Sequence, residues 1–317
     1  MEYILGIETS CDETAASVID SDGNILSNVV LSQIDIHKEF GGVIPEVASR
    51  NHVKVIDVVV KQALVRQVAK VAATSHPGLP GAVMVGRVFG EALAFALGAE
   101  FIEVNHILGH IASVPLCHPE IRGGAHIALV VSGGHTALYQ VKGTEVELLE
   151  TTSDDAIGEA FDKVARVLGL PYPGGPQIAK MAATHPDTPE GCYINFVSKP
   201  NYHREGFSYS GLKTAVINYL NRLKQRGEEI DIPQIAASFQ REAVAQIVYK
   251  CLRALNKTKD TILCVSGGVS ANRYLREELA RECGKIGVAV YFPPLELTGD
   301  NAAMIAGAAL FHLKMQE

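Results

Sequence analysis

Apolar positions cluster in short runs over residues 2 to 9, EYILGIET, and 14 to 19, TAASVI, on either side of the polar turn SCDE. Runs of that length and pattern predict strands. SDGN at 21 to 24 reads as a turn, and ILSNVVLSQ beyond it completes an antiparallel meander. After the loop KEFGGVIPEVAS, the spacing of Val53, Ile56, Val60 and Leu64 predicts a helix from Ser49 to about Val68, followed by the short buried strand VAAT. HPGLPGAVMVG reads as a glycine- and proline-rich turn feeding the helix RVFGEALAFALG.

The same order recurs at 125 to 149, where AHIALVVS, the turn GGHT, ALYQVKG and EVELLET form a second meander. The helix DDAIGEAFDKVARVLGL, the loop PYPGGP and the helix QIAKMAATH follow, then an irregular stretch from 186 to 207. Helices are predicted at about 210 to 224 and 233 to 256, then the strand TILCVS, the turn GGVS, the helix ANRYLREELARECG, the strand VAVYFPP and a last helix from about Asn301. No long linker or low-complexity segment interrupts this order, so a division into lobes would be topological.

With 317 residues, the chain is long enough for two lobes sharing a cleft. Apolar residues make up 47% and charged residues 20%, and no apolar run is read as long enough to cross a bilayer. The start, MEYILGIETSCDE, lacks a basic region and cleavage site, so a soluble cytoplasmic protein with no membrane partner is expected. Six scattered cysteines with no C-x-x-C pair predict reduced thiols. A net charge of −7 argues against coating nucleic acid by charge alone, while leaving room for a local basic patch.

Two features carry candidate chemistry. In NHILGHIAS, His106 and His110 stand four positions apart, the helical spacing that offers two imidazoles to one ion. The residue after the first histidine is Ile107, where a zinc peptidase needs a glutamate general base, so the peptidase mechanism is lost. A metal pair and a solvated or backbone-bonded pair both stay open. The second feature is a set of three strand-ending turns, ETSCDET at 8 to 14, VSGGHT at 131 to 136 and VSGGVSAN at 265 to 272. Glycine lets consecutive amides approach an anion, neighbouring hydroxyls add donors, and a helix beginning near Ala271 points its positive end at the cleft. A single S-G-G turn is more often a plain hairpin turn; three of them in one two-part α/β chain suggest a nucleotide site.

Duplicated meanders with such turns resemble the two-lobed actin, sugar-kinase and Hsp70 ATPase fold, an α/β architecture with duplicated ribonuclease-H-like subdomains. Ten stretches sharpen the resemblance: GIETSCDET, GGVIPEVASRNH, NHILGH, VSGGHT, DDAIGEAFDKVARVLGLPYPGGP, FSYSGLKTAV, AASFQ, VSGGVSANRYLR, FPPLEL and GDNAAMIA. In this order they are similar to the signatures of the bacterial tRNA adenosine threonylcarbamoyltransferases, once misnamed O-sialoglycoprotein endopeptidases. The resemblance implies a first lobe over 1–102, with 301–317 packing back on it, and a second over 103–300, the site lying between them. It implies one divalent metal, Fe2+ or alternatively Zn2+, on His106, His110 and Asp300, a set suited to gripping substrate. It implies substrate contacts at Val130, Val131, Ser132, Gly133 and Gly134, with His135 and Thr136 following, and at Asp162, Gly175 and Asn272. Amides of Gly133 and Gly134 can face phosphate, with Gly134 expected at positive φ; Asp162 can accept from ribose hydroxyls, Gly175 leaves room, and Asn272 can donate and accept.

The implied reaction moves a threonylcarbamoyl group from threonylcarbamoyl-AMP to the exocyclic amine of the adenosine 3′ of the anticodon, in tRNAs reading codons that begin with A. Asp12 and Glu13 are the candidates for proton removal or amine orientation; the plain alternative is a solvated acidic turn. Implied partners are tRNA and the accessory subunits of the transfer complex, an inactive paralogue and a small ATPase. The chain departs from the family at His76, where glycine is usual, at Gly299, where threonine is usual, in a shortened connection between Leu64 and Val71, and in stopping soon after the last helix. An ATPase or kinase of the same superfamily, or a silent partner subunit, are the competing readings. A kinase would not carry the histidine pair, and a silent subunit would have lost that pair or the S-G-G turns.

Overall fold

The computed structural model describes residues 2–185, 193–197 and 202–316, so much of the stretch expected to be irregular, with Cys192, lies outside the described residues. β1 (Tyr3–Glu8), β2 (Glu13–Asp20) and β3 (Ile25–Ser32) form the first meander. α1 (Ile34–Lys38), α2 (Pro45–Ala63), β4 (Lys70–His76), α3 (Pro80–Leu97) and β5 (Glu100–Asn105) follow. α4 (His106–Cys117) leads to the second meander, β6 (His126–Val131), β7 (Thr136–Lys142) and β8 (Glu145–Thr151). Then come α5 (Ile157–Val167), α6 (Gly174–Ala182), α7 (Ser210–Arg226), α8 (Ile232–Thr258), β9 (Ile262–Ser266), α9 (Arg273–Gly284), β10 (Ala289–Tyr291), α10 (Ala302–Phe311) and β11 (Lys314–Met315).

The duplication expected from the two meanders is present in the sheets. The first sheet runs β3-β2-β1-β4-β5 and the second β10-β9-β6-β7-β8-β11. In each, the first meander strand pairs antiparallel with the second and parallel with a later crossover strand, β1 with β4 and β6 with β9. α10 lies against β1 and β2 of the first sheet, while β11 pairs with β8 of the second, so the C-terminal segment is shared between the sheets.

α4 and α10 form a middle layer. Their side chains Ile107, Ile111, Met304 and Ile305 share one core with Ile4 of the first sheet and Ala128 and Val130 of the second. Burial on every side explains why α10 is apolar all round. The layer is thin because Gly6 lets two backbones touch and Gly109 leaves room for the Ile305 side chain. A Cβ on Gly6 would stand 2.1 Å from the Ala302 carbonyl oxygen, and one on Gly109 would stand 2.7 Å from Ile305 Cδ1.

Boundaries differ from the periodicity where local chemistry overrides it. α2 starts at Pro45 rather than Ser49, because proline suits the first helical turn, and it ends at Ala63. α3 starts at Pro80, inside the stretch read as a turn, for the same reason. β5 has no counterpart in the predicted elements: it is a six-residue edge strand with exposed Glu100 and Glu103, so its alternation is weak. α3 also corrects the expectation that no apolar run is of membrane length. Its 18 residues reach a mean hydropathy of 1.3, but it packs on α2, β4 and β5, and Arg87 pairs with Glu103 of β5 at 2.5 Å.

Gly6→Ala should lower the unfolding free energy by about 1–3 kcal/mol, since the added methyl overpacks a backbone contact. Gly284→Ala, whose Cβ would meet nothing within 4 Å, serves as the control. Urea denaturation of both variants checks this, and a Gly6→Ala midpoint equal to wild type would contradict the close approach.

Candidate active site

Asn105 ends β5 and caps α4, its Oδ1 accepting from the amides of Ile107 at 2.8 Å and Leu108 at 3.4 Å. The cap fixes where α4 begins, and so points His106 and His110 to the same side. Asn301 does the equivalent for α10, accepting from Met304 N at 3.1 Å, and leaves Asp300 just outside the helix. The three side chains meet: His110 Nε2 lies 3.2 Å and His106 Nε2 3.6 Å from the same Asp300 oxygen. One ligand atom from each falls within 4.8 Å of the others. Ile107 turns away into the middle core, in keeping with a site that lacks a peptidase base.

The donor set fits a divalent metal on its own geometry. Both ring nitrogens of fully buried His110 lack a hydrogen-bonding partner, since the approach to Asp300 is close without being aligned. A buried imidazole left in that state is costly unless something accepts its lone pair. Burial opposes charge on His106, but the carboxylates of Asp300 and Glu8 outweigh it and lift the imidazole to about 9. Burial likewise opposes charge on Asp300, and the neighbouring histidines overcome it, holding that carboxyl far below its ordinary range. His135, 6.3 Å from His106 between ring centres, is pushed down to about 4 by burial and by repulsion from the histidine pair.

His106 and Asp300 open onto a cavity of about 710 Å3 lined from both sheets, which brings together Asp12, Glu13, Ser132, Gly133, Gly134, Asp162, Gly175 and Asn272. Val130 and Val131 do not line it; they are fully buried strand residues paired with Ala137 and Thr136. Gly133 and Gly134 differ from expectation in their backbone, since neither has a positive φ. A Cβ at either would meet nothing within 4 Å, so these glycines keep the cavity open rather than satisfy a strained turn. Asp162 and Asn272 have structural work as well. Asp162 Oδ1 accepts from Gly174 N at 2.7 Å, and Asn272 accepts from Leu275 N at 3.1 Å while donating to Gln240 Oε1 at 2.8 Å.

The acidic turn is not simply solvated. Asp12 is buried, and burial with the charges of Asp12 and Asp300 raises the Glu13 carboxyl well above its usual range, against a hydrogen bond from Ser32. The same surroundings raise the Cys11 thiol so far that it stays protonated. His52 braces this turn, its Nε2 3.0 Å from the Cys11 carbonyl oxygen and its Nδ1 2.7 Å from Thr14 Oγ1. Sequence reasoning missed three residues here: Glu8 beside His106, His52, and Tyr172 on the cavity wall. None stands in a ligand-like spacing, and a buried glutamate at the end of a strand was the one available signal.

Comparison with known proteins gives the family and the fold. The family model described as tRNA N6-adenosine threonylcarbamoyltransferase matches residues 24–307. A protein of that name from Clostridium botulinum (strain 657 / Type Ba4) is 46% identical, over 97% of this chain and 92% of its own length. Among solved structures, component A of the Acidaminococcus fermentans (R)-2-hydroxyglutaryl-CoA dehydratase superposes with a TM-score of 0.57 at 15% identity, covering 98% of this chain and 97% of its own. Full-length HypF, in a phosphate- and nucleotide-bound form, gives 0.62 at 15% identity, covering 98% of this chain and 55% of its own. At such identities the likeness concerns the fold alone, which is the two-sheet, actin-like ATPase architecture.

Metal binding should release a proton, because an ion takes the Nε2 position that the metal-free imidazolium of His106 keeps protonated up to about pH 9. Affinity should therefore climb by up to about tenfold per pH unit below that point and level off above it. In the metal-free protein the raised value stabilises the fold; the gain is complete below the unfolded value of 6.5 and lost as pH rises through about 9. Calorimetric Zn2+ titrations at pH 7 and pH 9, in buffers of different ionisation enthalpy, measure both proton release and slope. Equal affinity at the two values would contradict the arrangement.

Proposed function

The chain belongs to the tRNA N6-adenosine threonylcarbamoyltransferase family, and from that premise we propose that its cavity binds threonylcarbamoyl-AMP and passes the threonylcarbamoyl group to the N6 amine of the adenosine 3′ of the anticodon, in tRNAs reading codons that begin with A. The observation that carries this reading is the convergence of the His106, His110 and Asp300 set with the glycine-bearing turns of both sheets at one cavity. Family membership also sets aside the kinase and silent-subunit readings.

His106, His110 and Asp300 would hold one divalent ion, iron or alternatively zinc, and such an ion supplies positive charge to the anionic oxygens of the donor. Gly133 and Gly134 offer amides to the phosphate, with the Ser132 hydroxyl beside them. Asp162 accepts from the amides of Gly174 and Gly175 and has remaining lone pairs for a ribose hydroxyl; Gly175 gives the sugar room, and Asn272 has a second amide hydrogen to donate. Val130 and Val131 hold the turn in register from the sheet.

The N6 lone pair is delocalised into the adenine ring, so the amine is a weak nucleophile. Positioning and charge stabilisation carry the rate. The N6 nitrogen forms a bond to the carbamoyl carbon, the carbon–oxygen bond to phosphate breaks, and AMP leaves with the electron pair. The N6 proton passes to a carboxylate of the Asp12–Glu13 pair; a carboxyl raised by burial is better matched to that task than a solvated one. The mixed anhydride already has a good leaving group, so no covalent enzyme intermediate is needed, and protonated Cys11 does not compete.

For partners, we infer the accessory subunits of the transfer complex, and a cytoplasmic location from the tRNA substrate. Met84, Val88 and Phe95, on one side of α3, leave apolar side chains exposed, Phe95 at 91%. A patch of this kind suits a protein partner, here the inactive paralogue.

Incubation with tRNA, threonine, bicarbonate, ATP, the donor synthase and the accessory subunits should yield threonylcarbamoyladenosine in a nucleoside digest; its absence would overturn the reading. Gly134→Val, which strains no backbone, should weaken a non-hydrolysable threonylcarbamoyl-adenylate analogue by about tenfold or more, the loss of one hydrogen bond to a charged group. Wild-type affinity in that variant would move the phosphate elsewhere. Phe95→Asp should reduce assembly with the paralogue in sedimentation and leave metal content unchanged.

A further inference from the structure

Glu8 is the last residue of β1, wholly buried, and takes no part in the transfer chemistry. Its surroundings are fully specified. Oε1 accepts from the amide of Ser10. Oε2 accepts from Thr74 Oγ1 at 2.6 Å and stands 2.9 Å from His106 Nδ1. Ser10 Oγ is a second neighbour of that nitrogen at 3.1 Å. An ionised carboxylate only accepts, so the hydrogen between Glu8 and His106 sits on Nδ1. The other nitrogen, Nε2, is the one that faces Asp300. His110 shows the contrast: its Nε2 also faces Asp300, but its Nδ1 has no partner.

We propose that Glu8 is a positioning residue for the metal site, locking His106 as the Nδ1–H tautomer with its Nε2 lone pair toward the ion, so that the two histidines are unequal ligands. A carboxylate accepting from the far nitrogen fixes the ring and raises the basicity of the near one. His110 has packing alone. Through this bond, the first sheet orients a ligand carried by the middle layer. Thr74 on β4 and the Ser10 amide hold Glu8 in turn, so the triad spans β1, β4 and α4.

A glutamine at position 8 exposes the requirement. If its oxygen keeps the Ser10 amide, its NH2 group faces His106 and donates to Nδ1, which forces the hydrogen onto Nε2, the metal-binding position. If it flips, NH2 meets the Ser10 N–H, donor against donor in a buried space. Either arrangement disfavours the ion without removing volume.

The inference rests on the metal-site reading above, and the experiment separates the two. Co2+ dissociation constants and visible d–d spectra are measured for wild type, Glu8→Gln and Thr74→Val, with metal-free unfolding midpoints taken alongside. Expected are stoichiometric Co2+ in wild type, about 10–100-fold weaker binding with an altered spectrum in Glu8→Gln, and a smaller loss in Thr74→Val. A wild type that takes no metal removes the site itself. A wild type that binds, beside a folded Glu8→Gln with the same constant and spectrum, overturns the role of Glu8 alone, as does a lowered unfolding midpoint with unchanged Co2+ affinity. Nitrogen-15 NMR of the His106 ring in wild-type protein loaded with Zn2+ tests the tautomer even if the variant does not fold. Hydrogen on Nδ1 is expected, and hydrogen on Nε2 would overturn the proposal.

Discussion

The approach of α10 to α4 and β1 is the constraint from which the rest of the site follows. Gly6 removes the side chain that would hold β1 and α10 apart, Gly109 leaves room for Ile305 of α10, and the apolar faces of both helices then fill the space between the sheets. Asp300 precedes one helix and His106 begins the other. A side chain on Gly6 would meet the Ala302 carbonyl oxygen, two residues beyond Asp300. The site is thus a product of interior packing, the term in folding most sensitive to a single methylene.

Placing charged groups in that layer carries a desolvation cost that has to be met locally. Glu8, His106 and Asp300 meet it as a chain of opposite charges, the imidazole between two carboxylates at 2.9 and 3.6 Å. A cation held by His106, His110 and Asp300 would replace the proton of that chain and give His110 a partner. Burial acts on the neighbours as well. Burial, with the carboxylates nearby, keeps Cys11 protonated, and burial, with the histidines, keeps His135 neutral. A thiol held protonated leaves no thiolate for nucleophilic attack by Cys11.

Around the cavity and the histidine–aspartate cluster, polar side chains fix the starts of helices. Asp162 holds the start of α6, Asn272 caps α9, and Asn301 and Asn105 cap the two helices of the metal set. Amide donors left over at helix starts are what an anionic ligand needs. Asp162 and Asn272 also border the cavity, so these two side chains tie helix starts to its wall.

Much of this was legible in the linear order of residues. The two meanders, the strand-ending turns and the four-residue histidine spacing follow from local periodicity and turn chemistry, which act over a few positions. The likeness of ten ordered stretches then pointed to His106, His110 and Asp300, which the structure brings together in a group that could hold a metal ion. What local rules missed was decided at a distance. β5 forms because β4 pairs with it; Gly133 and Gly134 keep ordinary φ values because the cavity, rather than the turn, asks for glycine. Glu8 lies ninety-eight positions from His106, and no spacing rule links them. Sequence sets short-range dihedral preference and pattern; the pairing of buried charges depends on which backbones come within a few ångströms, and only the packed interior determines that.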